Sequence, residues 1–189
     1  MANPRLQIIV CSTRPGRVGH AIGQWMESVA KLDGQFDVEL VDLAELNLPI
    51  FDEATHPIMG DYAHDHTKKW SAIVSRADAF IWVTPEYNHS FNAATKNAID
   101  YLHNEWRHKP SGFVSYGGIS AGTRAVQQLK PIFSALKMVP VTEAVAIPLA
   151  NYPLVDGKFV GDPGLDGSAV NMLNEINRWY LQLKELRSA

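Results

Sequence analysis

Apolar residues fall along the chain in two alternating rhythms. Arg5 to Ser12 (RLQIIVCS) is a near-continuous apolar run whose β-branched Ile8, Ile9 and Val10 predict a strand buried on both faces. After a turn at Pro15 and Gly16, Val18, Ile22, Trp25, Met26 and Val29 recur every three or four positions, which predicts a helix ending near Gly34. Phe36 to Leu43 (FDVELVDL) alternates as a second strand, and Thr67 to Arg76 reads as helix. The stretch between them, Ala44 to His66, is polar and Pro-containing, long enough for a loop with a function or a partner. Ala79 to Thr84 (AFIWVT) is a third strand, Asn92 to Leu102 a helix, and Gly112 to Tyr116 a fourth strand running into two glycines. Ser120 to Lys137 is helical with Pro131 as a kink point, and Val139 to Ile147 is a fifth strand. A last helix, Ser168 to Arg187, would bury Val170, Leu173, Ile176, Tyr180, Leu183 and Leu186.

Strands alternating with helices imply parallel pairing through right-handed crossovers, hence a three-layer α/β sheet with strand order 2-1-3-4-5. No linker or repeat divides residues 1–189, so a single domain is expected. Open parallel sheets bind ligands at the carboxyl ends of their strands where the order reverses, here between strands one and three. Three loops should meet there: Ser12–Gly19, Pro85–Asn92 and Ser115–Ser120.

Charge narrows what they could bind. The chain has 17 basic and 20 acidic residues, a net charge of −3, which offers no broad attraction for nucleic acid or an anionic membrane. A phosphate would have to be gripped locally. The only cysteine, Cys11, cannot form an internal disulfide, no CxxC occurs, and Met1 to Arg5 does not lead a signal-like apolar segment; cytoplasmic residence is expected. Of the seven histidines, His64 and His66 beside Asp61 and Asp65 give too few ligands for a metal and read as a solvated loop or lid.

The first loop, STRPGRVG, concentrates Ser12, Thr13, Arg14 and Arg17 ahead of a helix N-terminus, where unpaired N–H groups and the helix dipole favour an anion. It lacks GxGxxG and a Walker GK[ST], so Asp42 at the end of strand two reads as a solvated strand end rather than a ribose ligand. A mononucleotide or free phosphate remains. The C-x5-R spacing of Cys11 and Arg17 also resembles a low-molecular-weight tyrosine phosphatase, with Asp162 as general acid. The second loop, PEYN, offers the flat ring of Tyr87, the amide of Asn88 and exposed N–H groups for a planar heterocycle, while Glu86 has no evident partner. In the third, Gly117 and Gly118 beside Tyr116 let a backbone approach a ring closely.

Together, PEYN at a strand end and SYGG in the next loop resemble the NADPH-dependent FMN reductase family, flavodoxin-like proteins that include quinone, azo-dye and chromate reductases. The resemblance implies that FMN phosphate is held by Ser12, Arg14, Arg17, Val18 and Gly19. One edge of the isoalloxazine would meet Pro85, Glu86, Tyr87 and Asn88, and the other Ser115, Tyr116, Gly117 and Gly118. Arg17 and Val18 depart from the family, where many members carry Ser and a small or polar residue. It implies NADPH or NADH as electron donor, a flavin, quinone, azo compound or metal oxyanion as acceptor, and no catalytic side chain, since the cofactor carries the chemistry. It also implies a homodimer or homotetramer, with Tyr101, Trp106 and the long loop near the contact. A non-enzymatic flavodoxin-like electron carrier is the remaining alternative.

Overall fold

The computed structural model describes residues 3–187. The apolar runs pair as one parallel sheet of β1 (Arg5–Val10), β2 (Asp37–Asp42), β3 (Ala79–Pro85), β4 (Pro110–Gly117) and β5 (Val139–Pro148), ordered β2-β1-β3-β4-β5. Successive residues of a strand face opposite layers. Leu6, Ile8, Ile81, Val83 and Val114 therefore pack under α1 (Gly19–Asp33) and α6 (Pro163–Arg187). Ile9, Phe80, Trp82 and Phe113 pack under α3 (Asp65–Ser75), α4 (Ala93–Asp100) and α5 (Thr123–Ala135). Gly112 of β4 admits α6 to this distance, since a Cβ there would lie 2.6 Å from Met172 Sδ.

Several expectations are corrected. Tyr101 and Trp106 are fully buried, not surface aromatics. Trp106 packs with Trp70, Phe80 and Trp82 at centroid distances of 5.2–5.9 Å and donates Nε1–H to Ile99 O. The long loop carries a short helix, α2 (Leu43–Leu46), and a 3-10 turn at Pro57–Met59. His66 is no free lid residue: its Nε2 lies 2.9 Å from Asp52, which also accepts from the Tyr101 hydroxyl, so the loop is tied to α4. In α6 the buried stripe is Leu165, Ala169, Met172, Leu173, Ile176 and Leu183, while Leu186 is 54% exposed and Val170 and Tyr180 are half-buried. Pro131 sits on the exposed face of α5, inside the helix.

Candidate functional site

At the carboxyl ends of β1, β3 and β4 the three loops border a cleft of about 380 Å³, a volume suited to a bound cofactor. A cavity of about 720 Å³ lies at the opposite edge, where β3 and β4 begin, but two of its cations, Lys109 and Arg187, already serve the fold. Lys109 Nζ donates to Val74 O at the end of α3, and Arg187 pairs with Asp78. The cleft at the strand ends is the better candidate.

Its floor is the first loop. Cys11 N–H donates to Val83 O, and the chain then leaves the sheet into a β-turn closed by Arg17 N–H on Arg14 O, with Pro15 and left-handed Gly16 (φ 69°) at its corners. α1 starts at Gly19 with Val18 as N-cap and no side chain capping it, so its first-turn N–H groups have no side-chain acceptor. Gly19 is required by contact, since a Cβ would lie 2.3 Å from the Tyr116 hydroxyl. That hydroxyl is buried without a hydrogen-bond partner of ordinary geometry. Burial pushes its pKa up, weakly opposed by nearby Ser12.

The two arginines of the loop differ. Arg14 is exposed at the cleft, and its guanidinium has no partner among the described residues. Arg17 Nη1 donates to Ser12 O at 2.7 Å and to Asp42 Oδ1 at 2.8 Å, and Nη2 to Asp42 Oδ2 at 2.6 Å. Asp42 is 6% exposed and also meets His20 Nδ1 and the Ala44 amide. The reading of Asp42 as a solvated strand end is thereby overturned.

The second loop is a hairpin. Tyr87 and Ser90 exchange both backbone hydrogen bonds around Asn88 (φ 49°) and His89 (φ 69°), the left-handed pair of a type I′ turn. Asn88 thus has a turn-forming role and does not line the cleft, whereas Pro85, Glu86 and Tyr87 do. The expectation of free amides here fails at two positions, because Glu86 N–H donates to Tyr116 O and Tyr87 N–H to Ser90 O. The Glu86 carboxylate has the partner the sequence did not reveal. Arg124 donates to it from Nη1 at 3.0 Å and from its backbone at 3.2 Å, across the start of α5. Burial raises its pKa, but bonds from Ser120 and Arg124 outweigh this and hold it below the ordinary carboxylate range.

In the third loop Tyr116, Gly117 and Gly118 line the cleft. A Cβ on Gly118 would meet nothing within 4 Å, and its amide donates to no backbone carbonyl among the described residues. Ser115 lies behind the wall, its hydroxyl donating to Ala121 O. Four supports escaped the sequence reading. Asn92 donates Nδ2–H to Cys11 O, Arg124 fixes Glu86, Asp42 holds Arg17, and Leu149 and Ala150 after β5 close the far side. Asn92 sits at the N-cap of α4 but its side chain makes no capping bond, so its reach to Cys11 O, 81 residues away, left no local signal.

The phosphatase alternative fails on Cys11. Its thiol is fully buried, its Sγ lies 3.5 Å from Ile9 O, and burial pushes its pKa up to about 12, the reverse of what a nucleophilic thiolate needs.

Uncapped amides, the free Arg14 guanidinium and a glycine facing open space fit a mononucleotide with a flat ring, on a sheet of flavodoxin-like order. The class is that of a flavodoxin-like flavoprotein. The model of the NADPH-dependent FMN reductase family matches residues 4–151. An NAD(P)H-dependent FMN reductase of Schizosaccharomyces pombe is 39% identical over 185 residues, 97% of this chain and 90% of its own. An NADPH azoreductase of Bacillus sp. is 28% identical over 187 residues, covering 97% and 92%. Among solved structures, the flavoenzyme NAD(P)H:(acceptor) oxidoreductase FerB of Paracoccus denitrificans superposes with a TM-score of 0.76 at 21% identity, covering 95% and 98%. Flavodoxin of Megasphaera elsdenii does so with a TM-score of 0.54 at 16% identity, covering 88% and 98%. The chain belongs to the NADPH-dependent FMN reductase family. It is an FMN-dependent NAD(P)H oxidoreductase, an enzyme rather than a passive carrier.

Proposed function

We propose that FMN binds in the cleft at the ends of β1, β3 and β4, phosphate toward Ser12–Gly19 and ring between the Pro85–Tyr87 and Tyr116–Gly118 walls. The observation that carries this reading is the uncapped N-terminus of α1 next to the unpartnered Arg14. Bound FMN supplies hydride acceptance from NAD(P)H and reduction of the second substrate. The chain's residues bind and orient it. Arg14 and the amides of the first turn supply positive potential for the phosphate, and Gly118 keeps one wall free of side-chain bulk. The Glu86–Arg124 pair joins the second loop to the start of α5 and so fixes the width of the slot.

The acceptor enters the same open slot. A quinone or an azo compound suits it, in keeping with the named activities of relatives such as the Bacillus azoreductase and an NADPH:quinone oxidoreductase of Arabidopsis thaliana. We infer residence in the cytoplasm from the free, buried Cys11, and one domain from the single sheet. A homodimer or homotetramer is supported by exposed apolar Ile50, Ile58 and Met59 on the loop after β2. No helix among the described residues is long and apolar enough to cross a membrane.

Purified protein should carry flavin absorbance, release FMN on denaturation, and oxidise NADPH or NADH in the presence of a quinone. Colourless protein that gains neither absorbance nor activity with added FMN would refute the cleft assignment.

A further inference from the structure

We propose that Asp42 is a positioning residue for the phosphate loop: it locks Arg17 in a buried two-point clasp, leaving phosphate recognition to Arg14 and the α1 amides. This rests on the placement of the FMN phosphate at Ser12–Gly19. The register of β1 and β2 sets Asp42 opposite Val10, two residues before the loop begins. Its side chain is 4% exposed and receives Arg17 through both terminal nitrogens, His20 Nδ1 and the Ala44 amide, so both oxygens are used. Arg17 in turn grips Ser12 O, which ties the loop's first residue and its turn to the end of β2.

A guanidinium in the phosphate loop would ordinarily be read as a phosphate ligand. Arg17 also borders the cleft, but three of its five N–H groups are used in the clasp, and swinging the guanidinium fully onto a phosphate would leave a buried carboxylate with only His20 and one amide. Breaking one side of a buried, hydrogen-bonded ion pair is strongly unfavourable, because the remaining charge is left uncompensated in low dielectric. Arg14 faces no such obstacle: it is exposed at the same cleft and spoken for by nothing among the described residues. Arg17 thus shapes the loop while contributing little net charge, since Asp42 neutralises it.

The test strips flavin from the holoprotein and titrates the apoprotein with FMN and with riboflavin, which lacks the phosphate, following the quenching of flavin fluorescence. Asp42→Asn and Arg17→Gln should each weaken FMN binding roughly tenfold while leaving riboflavin affinity unchanged, and the double variant should be no weaker than the worse single. An Asp42→Asn protein that binds FMN equally or more tightly would overturn the proposal, because a released Arg17 would then be serving the phosphate directly. Equal loss of both flavins would also overturn it, showing a merely structural role. Salt supplies a second readout that does not depend on Asp42→Asn folding. The salt dependence of FMN affinity should flatten in Arg14→Gln and persist in Arg17→Gln; flattening in Arg17→Gln would contradict the clasp. Wild-type apoprotein that binds riboflavin as tightly as FMN would instead refute the phosphate placement itself.

Discussion

Gly122 has φ 82°, and a Cβ there would lie 2.6 Å from Tyr116 N and 2.8 Å from Ser115 Cβ, so its glycine is demanded by the chain's own backbone. Gly118, four residues earlier, would place a Cβ in open space at the cleft, and nothing internal demands glycine there. The two should respond oppositely. Gly122→Ala should lower folding stability by about 1–3 kcal/mol through strain and overlap. Gly118→Val should leave stability within about 0.5 kcal/mol of wild type, yet weaken FMN binding about tenfold or more as its branched side chain enters the slot. Urea unfolding and flavin titration on both proteins check the pair, and a Gly118→Val protein with unaltered FMN affinity would remove that wall from the site. At this scale the sequence showed which residues gather at the strand ends, because loop membership follows from strand order. It did not show what each side chain does. Asp42 and Arg17 are 25 positions apart, Glu86 and Arg124 are 38 apart, and only the folded sheet edge brings each pair together. The amide of Asn88 is chemically apt for a ring contact, and its turn position, at φ 49°, shows only in the folded backbone.

Between elements, Lys109 couples the start of β4 to the end of α3, donating to Val74 O with its ammonium over the Phe80 ring at 5.5 Å. Burial, reinforced by the charge of Arg187, lowers its pKa to about 8. The folded state therefore sheds this proton below the pH at which the unfolded chain does. Stability from this group rises with pH above about 8, by at most about 1.4 kcal/mol per pH unit. Cys11, with its pKa raised to about 12, acts oppositely once the unfolded thiol ionises, so the comparison must be made against a variant. Between pH 8 and 9, wild type should gain stability relative to Lys109→Met in urea unfolding; parallel pH profiles would show that Lys109 is not held at a depressed pKa. Helices and strands were themselves well marked, because buried parallel strands are continuous apolar runs and most helices keep a clean stripe. The start of α6 was not, since Pro163, Gly164 and Gly167 look like loop residues while Asp162 accepts from Leu165 N–H and anchors the first turn. The short α2 was also hidden, as its N-cap Asp42 sits at the end of a strand.

Across the whole molecule, the two layers of helix divide the work. The layer under α3, α4 and α5 is a cluster of tryptophans and phenylalanines packed against β3 and β4, and from those strands come both loops proposed to flank the ring. The α1 and α6 layer supplies the end of the cleft proposed for the phosphate, because α1 starts at the cleft and packs along α6. A net charge of −3 makes this local arrangement necessary, since the surface as a whole does not attract anions. Strand order alone is enough to place a cleft at this edge, while the clasp beneath it exists only once β1 and β2 are paired.

The most direct measurement is an amide-resolved NMR titration of the apoprotein with FMN. The largest shifts should fall on Ser12–Ala21 and Tyr116–Gly118, with smaller ones at Glu86 and Tyr87, whose amides are already bonded within the fold. Shifts concentrated instead around Ser75, Arg107 and Arg187, at the cavity on the opposite edge of the sheet, would contradict the assignment of the cofactor to the carboxyl ends of β1, β3 and β4.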